Sequence, residues 1–193
     1  ILINSKKEDI FKRSVAELRY HAEVLELLNL KSNAKIQLHV GGVYGNKTKS
    51  IERFIQRYHT LDKKIKKHLV IENDDRRFNL NDCLRIHKET KIPVLFDVFH
   101  HRVYGHGESL QECFKNFVTT WKAKDGLPLV DYSSQAPDKR KGSHTEHIDI
   151  SDFKKFVDRS KPYDFDVMLE IKDKEKSALK AIKAISKDGR LVK

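Results

Sequence analysis

Five short apolar runs in the chain each lead into a residue that can bind a metal or move a proton. They alternate with longer segments in which apolar residues recur at helical spacing, as in residues 47–66. Runs that are apolar on both faces, alternating with amphipathic helices, are typical of a parallel sheet covered by helices. The sequence therefore predicts an α/β fold. Its predicted strands are IQLHV (36–40), HLVIE (68–72), PVLFDV (93–98), LPLVDY (127–132) and DFDVMLEI (164–171).

Two architectures fit this alternation, a doubly wound sheet and a TIM barrel. A closed TIM barrel needs eight strands and typically about 250 residues. The chain has 193 residues, which is enough for one domain over residues 1–193. The segment ILI (1–3) is interpreted as the end of a further strand. Helices are predicted over residues 8–30, near 79–90, near 109–122, over 151–160 with Ser151 as the cap, and from about Lys174 onwards, with a His-rich loop after the strand at 93–98.

The residues at which the five runs end indicate a common site. In parallel α/β folds the C-terminal ends of the strands point to one face, where functional sites are built. Several carboxylates that converge there would repel one another, and a divalent cation relieves this repulsion best. The end residues are His39, Glu72, Asp97, Asp131 and Glu170.

Two histidines in the following loops enlarge this set of candidate metal ligands. His100 lies three residues after Asp97, and His144 lies in the long polar loop after Asp131. Mixed carboxylate and imidazole ligands suit Mn²⁺, Zn²⁺ or Fe²⁺ better than Ca²⁺. So many candidate ligands indicate a multi-metal cluster of the kind that cleaves phosphodiesters.

Each candidate ligand also has an ordinary structural explanation. Glu72 can pair with Arg76 or Arg77 in the loop that follows it. Asp131 and Glu170 can cap the helices that come next. The roles of three further histidines stay open, namely His101, His106 and His147.

Charge and cysteine content narrow the class of protein. Lys and Arg total 39 against 28 acidic residues, a formal charge of +11, which favours a polyanionic partner such as nucleic acid. The alternative is a lysine-rich protein with solvated helix faces. No apolar run approaches the roughly 18 residues of a membrane helix, so no membrane partner is predicted. Cys83 and Cys113 are widely separated and are interpreted as reduced packing residues of a cytosolic protein.

Six motifs in this order resemble the UV damage endonuclease family along nearly the whole chain. They are HVGGVYGNK, IENDD, FDVFHH, YSSQ, the SHTEHI segment and FDVMLEIKDKEKSAL. The resemblance implies a TIM barrel and a cluster of two or three divalent metals, most often Mn²⁺. It also implies incision of damaged double-stranded DNA immediately 5′ to UV photoproducts and related lesions. Carried over position by position, the ligands are His39, Glu72, Asp97, His100, His144 and Glu170.

The chain departs from the family pattern in two places. Many members carry Lys-x-His where this chain has Leu129 and Asp131, so we expect Asp131 to replace that histidine as a metal ligand. The family's first strands would lie before Ile1, so the chain resembles the C-terminal two-thirds of the enzyme. We therefore expect an incomplete barrel that runs from the segment at 1–3 to the strand at 164–171. Its open edges would favour self-association.

The sequence thus predicts a metal-dependent DNA repair endonuclease, located in the cytoplasm and associated with the nucleoid of a prokaryote. The alternatives are a sugar isomerase or epimerase on a similar metal-binding barrel, and a non-catalytic DNA-binding fragment. The predicted catalytic residues are Glu72, Asp97, His100 and Glu170. The predicted DNA contacts, either to phosphates or by stacking, are Tyr44, Lys47, Arg102, Tyr104, Lys139, Arg140 and Lys141.

Overall fold

The computed structural model describes residues 1–192, and its centre is a parallel sheet of five strands. The strands lie side by side in chain order, and one or more helices connect each strand to the next. This arrangement is that of consecutive units of a TIM-type barrel, and it confirms the predicted α/β class and strand order. The strands are β1 (Ile36–His39), β2 (Leu69–Glu72), β3 (Val94–Asp97), β4 (Leu129–Tyr132) and β5 (Asp166–Leu169).

Polar side chains start most of the helices by accepting the free N–H groups of the first turn. Asn79 and Ser109 form capping boxes with Asp82 and Glu112 respectively. The helices are α1 (Glu8–Leu27), α2 (Lys47–Thr60), α3 (Lys63–His68), α4 (Leu80–Thr90), α5 (Val98–Tyr104), α6 (Leu110–Phe117), α7 (Ile150–Arg159) and α8 (Glu175–Ala184).

Two predictions about helices were wrong. The segment after β3 was predicted to be a His-rich loop, but it forms α5, because the Asp97 side chain caps it through the His100 N–H. Ser151 is not the cap of α7. Asp149 takes that position, because its carboxylate accepts hydrogen bonds from the N–H groups of Ser151 and Asp152 in the first turn of the helix.

The segment 1–3 was predicted to end a strand, and this prediction was also wrong. The main-chain groups there bind side chains instead of a neighbouring strand. The Leu2 N–H donates to Ser14 Oγ at 2.9 Å, and the Ile3 carbonyl accepts from the Arg57 guanidinium at 3.0 Å. Ile3 itself is buried in the core.

One hydrophobic core lies between the sheet and its helices. β2 and β3 are buried along their whole length, as expected for central strands of a covered parallel sheet. Cys83 and Cys113 are both free and buried, which confirms their prediction as packing residues. Among residues 1–192, β1 and β5 each pair with one neighbour only, so the sheet is open at both edges. No helix in the described residues is long and apolar enough to cross a membrane.

Candidate metal centre

The register of the sheet places the predicted ligands in adjacent pairs at the C-terminal ends of the strands. His39 of β1 is the register partner of Glu72 of β2. Asp97 of β3 is likewise the partner of Asp131 of β4. Glu170 directly follows β5. Parallel pairing thus produces the convergence that the strand ends predicted.

Glu72 lies at the centre of this arrangement. Its Oε1 atom is 3.2 Å from His39 Nε2 and 3.0 Å from His100 Nδ1. Two groups of side chains have ligand atoms within 4.8 Å of one another, and Glu72 belongs to both. One is His39, Glu72 and His100, and the other is Glu72, Asp97 and Asp131. Five of the seven predicted ligands therefore lie in these two groups, which share Glu72.

Burial and mutual repulsion divide the carboxylates into two kinds. Burial alone would raise the pKa of Glu72, but hydrogen bonds with His100 and His39 outweigh burial and lower it to about 2. Burial raises the pKa of Asp97 to about 8, and the Glu72 charge adds to this effect. Burial, followed by the charges of Glu72, Glu170 and Asp97, raises the pKa of Asp131 to about 8. Bringing these groups together without a cation therefore favours protonation of two of them.

The donor atoms fit a divalent metal. Asp97 Oδ2 and Asp131 Oδ1 are both buried and accept no hydrogen bond in the described part of the chain, and the one cationic group near them is His100 Nδ1, 3.1 Å from Asp97 Oδ2. Buried carboxylate oxygens without a partner are costly, and a cation removes that cost. Carboxylate oxygens beside imidazole nitrogens are the mixed donor set of Mn²⁺, Zn²⁺ or Fe²⁺ sites. These residues could hold a metal ion.

The other two predicted ligands lie at the margin of this centre. His144 Nδ1 is 2.8 Å from the Glu170 carbonyl oxygen and 3.7 Å from Glu170 Oε2. The His144 ring lies beside the His100 ring, with 6.0 Å between centroids. His144 and Glu170 are thus neighbours of the centre but belong to neither compact group.

Similarity to known proteins shows the family to which the chain belongs. The family model described as UV-endonuclease UvdE matches residues 1–191. The chain belongs to the UvdE family. Among its UvdE relatives, the UV DNA damage endonuclease of Clostridium perfringens is 42% identical over 95% of this chain and 45% of that protein. The enzyme of the same name from Bacillus cereus is 35% identical over 96% of this chain and 59% of that protein.

The crystal structure of SacUVDE, a TIM-barrel-like fold, superimposes with a TM-score of 0.93 and 41% identity. The match covers 99% of this chain and 64% of that one. This UvdE-family chain therefore spans about half to two thirds of the length of these relatives.

Sequence reasoning missed two amide side chains at this candidate metal centre. Gln37, two residues before His39 on the same face of β1, donates to Glu72 Oε2 at 2.6 Å and to Asp131 Oδ2 at 2.5 Å. Asn73 bonds the main chain of Asp97. The strand period of two could have placed Gln37 at the site, because it points to the same face as His39.

Two of the predicted phosphate-binding cations are already paired. Lys47 Nζ is 2.5 Å from Asp82 Oδ2 and lies 5.7 Å from the centre of the Tyr104 ring. Arg102 is 2.5 Å from Asp152 Oδ2. The Arg53 guanidinium lies over the Tyr44 ring, with its Cζ atom 5.3 Å from the centre of that ring. These contacts fix the four side chains in place and reduce the charge that Lys47 and Arg102 offer to a phosphate.

The other three predicted cations lie in a turn at residues 136–143, which we call the basic turn. Lys139, Arg140 and Lys141 are exposed and take part in none of the ion pairs found among residues 1–192. The side chain of Gln135 holds the turn together: its Nε2 donates to carbonyls within it, and its Oε1 accepts the Gly142 N–H at 2.9 Å. A bridge between Gln135 and His144 joins the turn to the margin of the metal centre.

The three open histidines lie outside the two ligand groups. His101 turns towards α6, with Nε2 3.0 Å from the Glu108 carbonyl and 3.4 Å from Cys113 Sγ. His147 pairs with Asp173, and His106 is exposed. The ordinary explanations for the acids do not apply. Arg76 pairs with Asp75 and not with Glu72. Asp149, and not Asp131, caps α7, and the first turn of α8 has no side-chain cap, so Glu170 does not cap that helix.

Proposed function

We propose that this chain carries the metal centre of a DNA repair endonuclease that nicks the phosphodiester bond 5′ to UV photoproducts and related lesions. The observation that carries the proposal is the cluster of Glu72, Asp97 and Asp131, in which two buried carboxylate oxygens accept no hydrogen bond from residues 1–192. The names of the relatives, which are UV DNA damage endonucleases, support the choice of substrate. Because the chain spans only part of their length, the activity of the whole enzyme is proposed for it and not assumed.

The proposed cofactor is Mn²⁺, with two or three ions in the complete enzyme. The residues that would hold the ions are His39, Glu72, Asp97, His100, Asp131, His144 and Glu170. When bound, such ions neutralise the scissile phosphate and lower the pKa of water. Asp131 is proposed as a ligand in the place where related proteins carry histidine, because a carboxylate oxygen is an equally suitable donor for Mn²⁺.

The proposed catalytic residues have two roles: some position the reacting groups, and one transfers a proton. Glu72, Asp97 and His100 are buried and lie in contact, so they would fix the positions of the reacting groups. The side chain of Glu170 is 34% exposed at the margin of the centre. This position suits it to accept a proton from the attacking water.

Damaged double-stranded DNA is the proposed partner. The basic turn offers three cations that form no ion pair among residues 1–192, it is joined to His144 through Gln135, and the whole chain carries a formal charge of +11. These cations would bind phosphates that flank the cleaved bond, since phosphate contacts position a protein on DNA. Lys47, Arg102, Tyr44 and Tyr104 are proposed as secondary contacts, because their internal pairs must first exchange for DNA.

Two further proposals follow from the open sheet and the proposed activity. β1 and β5 each have one unpaired edge in the described residues, and Met168 of β5 is 61% exposed. Such edges favour self-association with a second copy, which light scattering at increasing protein concentration would detect. The proposed location is the cytoplasm, in association with the nucleoid.

A nicking assay tests the proposed function. The chain is incubated with Mn²⁺ and either UV-irradiated or undamaged supercoiled plasmid, and the conversion to open circles is measured. We expect nicks only in the irradiated plasmid. Isomerase activity on sugars without nicking would favour the sugar isomerase alternative, and binding without cleavage would favour the non-catalytic fragment.

A substitution of His100 tests the metal centre separately. His100→Ala should lower the amount of Mn²⁺ bound, measured by elemental analysis after gel filtration. His106→Ala is the matched control, because His106 is exposed and lies outside both ligand groups. Unchanged metal content in His100→Ala would remove His100 from the centre.

A further inference from the structure

The pairing of β2 with β3 continues past the end of β2 through a side chain. The main-chain register joins Ile71 to Val94 and Glu72 to Leu95. Beyond Glu72, the Asn73 side chain takes over and makes two hydrogen bonds to one residue of β3. Asn73 Nδ2 donates to the Asp97 carbonyl at 2.9 Å, and Asn73 Oδ1 accepts the Asp97 N–H at 3.0 Å.

This substitution of side chain for main chain leaves the Asn73 carbonyl oxygen available for another donor. In a parallel ladder that oxygen would be expected to accept the N–H of the neighbouring strand. Here it accepts a hydrogen bond from His100 Nδ1 at 3.0 Å. One buried residue, 1% exposed, therefore contacts both the main chain of Asp97 and the imidazole of His100.

The Asp97 carboxylate extends the effect of Asn73 to α5. Asp97 Oδ1 accepts the His100 N–H at 2.7 Å and so caps the helix that carries His100. Asp97 Oδ2 accepts no hydrogen bond in the described residues and lies 3.1 Å from His100 Nδ1, within the group of atoms that could hold a cation. Fixing the Asp97 main chain therefore fixes the start of α5 and the direction of Asp97 Oδ2 together.

We propose that Asn73 is a positioning residue that holds Asp97 and His100 in the arrangement in which they bind metal. The proposal rests on the proposed metal centre and adds to it a residue that is not itself a ligand. Only a short amide side chain supplies the required donor and acceptor at this distance. Residues that orient metal ligands in this way usually change metal affinity by 10-fold to 100-fold when they are replaced.

Asn73→Leu tests the proposal, because leucine has a similar size and makes neither hydrogen bond. Thr120→Val is the matched control. Thr120 is 2% exposed and bonds the other end of the same strand, since its Oγ1 accepts the Val94 N–H at 3.0 Å. Both substitutions remove a buried side-chain contact to the main chain of β3, but only Asn73 is near the ligands.

The measurement is the dissociation constant for Mn²⁺, from titration calorimetry and from the electron paramagnetic resonance signal of free Mn²⁺. We expect Asn73→Leu to bind Mn²⁺ about 10-fold to 100-fold more weakly, with Thr120→Val within about twofold of the unmodified chain. Equal affinities in the two variants would overturn the role of Asn73 alone. Failure of the unmodified chain to bind Mn²⁺ would overturn the metal centre as well.

A second measurement needs no substitution and therefore does not depend on whether Asn73→Leu folds. Hydrogen exchange of the Asp97 amide in the unmodified chain reports directly on its bond to Asn73 Oδ1. We expect this amide to exchange as slowly as the other amides of β3, at residues 94–96. Exchange at the rate of an exposed loop amide would show that the bond is not kept in solution and would overturn the proposal.

Discussion

Replacing Asp131 by asparagine should stabilise the metal-free chain near neutral pH. Asparagine has nearly the same shape, cannot ionise, and still accepts the hydrogen bond that Gln37 donates to Asp131 Oδ2 at 2.5 Å. Its NH₂ group would take the place of the buried oxygen that has no partner and would face the neighbouring carboxylates. The substitution therefore removes the repulsion but keeps the packing.

The sign and size of the effect follow from the pKa of Asp131. Burial and the neighbouring acids raise it from 3.8 to about 8. Because the folded-state pKa lies above the unfolded value, the stability that Asp131 contributes is fully present below about pH 4 and is lost as the pH rises towards 8. Each unit corresponds to about 1.4 kcal/mol, so about 4 kcal/mol is the limit near pH 7. Allowing for local relaxation, we expect about 2 kcal/mol, or roughly 4–8 °C in melting temperature.

Thermal unfolding of the metal-free chain between about pH 4 and pH 8 measures this effect. Asp131→Asn should melt at nearly the same temperature as the unmodified chain at the acid end and higher at the alkaline end. Its stabilisation by added Mn²⁺ should be smaller, because it has lost a ligand. A lower melting temperature for Asp131→Asn at the alkaline end would refute the reasoning.

Asp152→Asn provides a control of opposite sign. Burial alone would raise the pKa of Asp152, but hydrogen bonds from Arg102 and Tyr132 outweigh burial and lower it. A lowered pKa contributes stability above the unfolded value and loses it as the pH falls. Asp152→Asn should therefore destabilise the chain near neutral pH.

Three further predictions concern the site, the basic turn and the segment that follows β1. Gln37→Leu leaves two carboxylates without their shared donor, so Mn²⁺ affinity measured by calorimetry should fall about tenfold; unchanged affinity would contradict this role. Replacing all three cations at 139–141 by alanine should reduce the slope of log affinity for DNA against log salt by about 2–3, since each phosphate contact contributes about 0.9; an unchanged slope would exclude the turn from the interface. Gly41 has a φ of +113°, and a Cβ there would overlap with Asn4 Oδ1. Gly41→Ala should therefore cost about 1–3 kcal/mol in urea unfolding, and a stability equal to the unmodified chain would show that the segment adapts freely.

The convergence of the candidate ligands at strand ends could be predicted from the sequence, because parallel strands place their C-terminal residues on one face whatever the side chains between them. The positions of His39, Glu72 and Asp97 each follow directly from that rule. Asn73 could not be found in the same way. An asparagine after a strand usually marks a turn, and only the three-dimensional distance to Asp97 shows that it extends the ladder.

Two of the wrong predictions, a strand at residues 1–3 and a loop after β3, have a common physical cause. At residues 1–3 the apolar pattern was that of a strand, but the hydroxyl of Ser14 and the guanidinium of Arg57 bind the main-chain groups there. After β3, the His-rich segment shows no helical periodicity in its sequence, but the Asp97 cap is enough to start α5. In both places a distant or local side chain supplied the partner that decides the main-chain conformation, and periodicity does not record such partners.

A buried acid outside the candidate metal centre has a basic partner, and the acids of the centre do not have a Lys or Arg partner in the described part of the chain. Asp125 is also buried, and there Lys35 lies 2.8 Å away, with side chains only 8% and 2% exposed. At the ends of β2, β3 and β4, no Lys or Arg among residues 1–192 pairs with the three acids. The imidazoles of His39 and His100 lie beside Glu72, and His100 Nδ1 is also 3.1 Å from Asp97 Oδ2, which leaves Asp131 without a positively charged partner in the described residues. A chain with 39 Lys and Arg residues pairs none of those that the structure describes with these three acids, and this arrangement suits a site that could hold a cation.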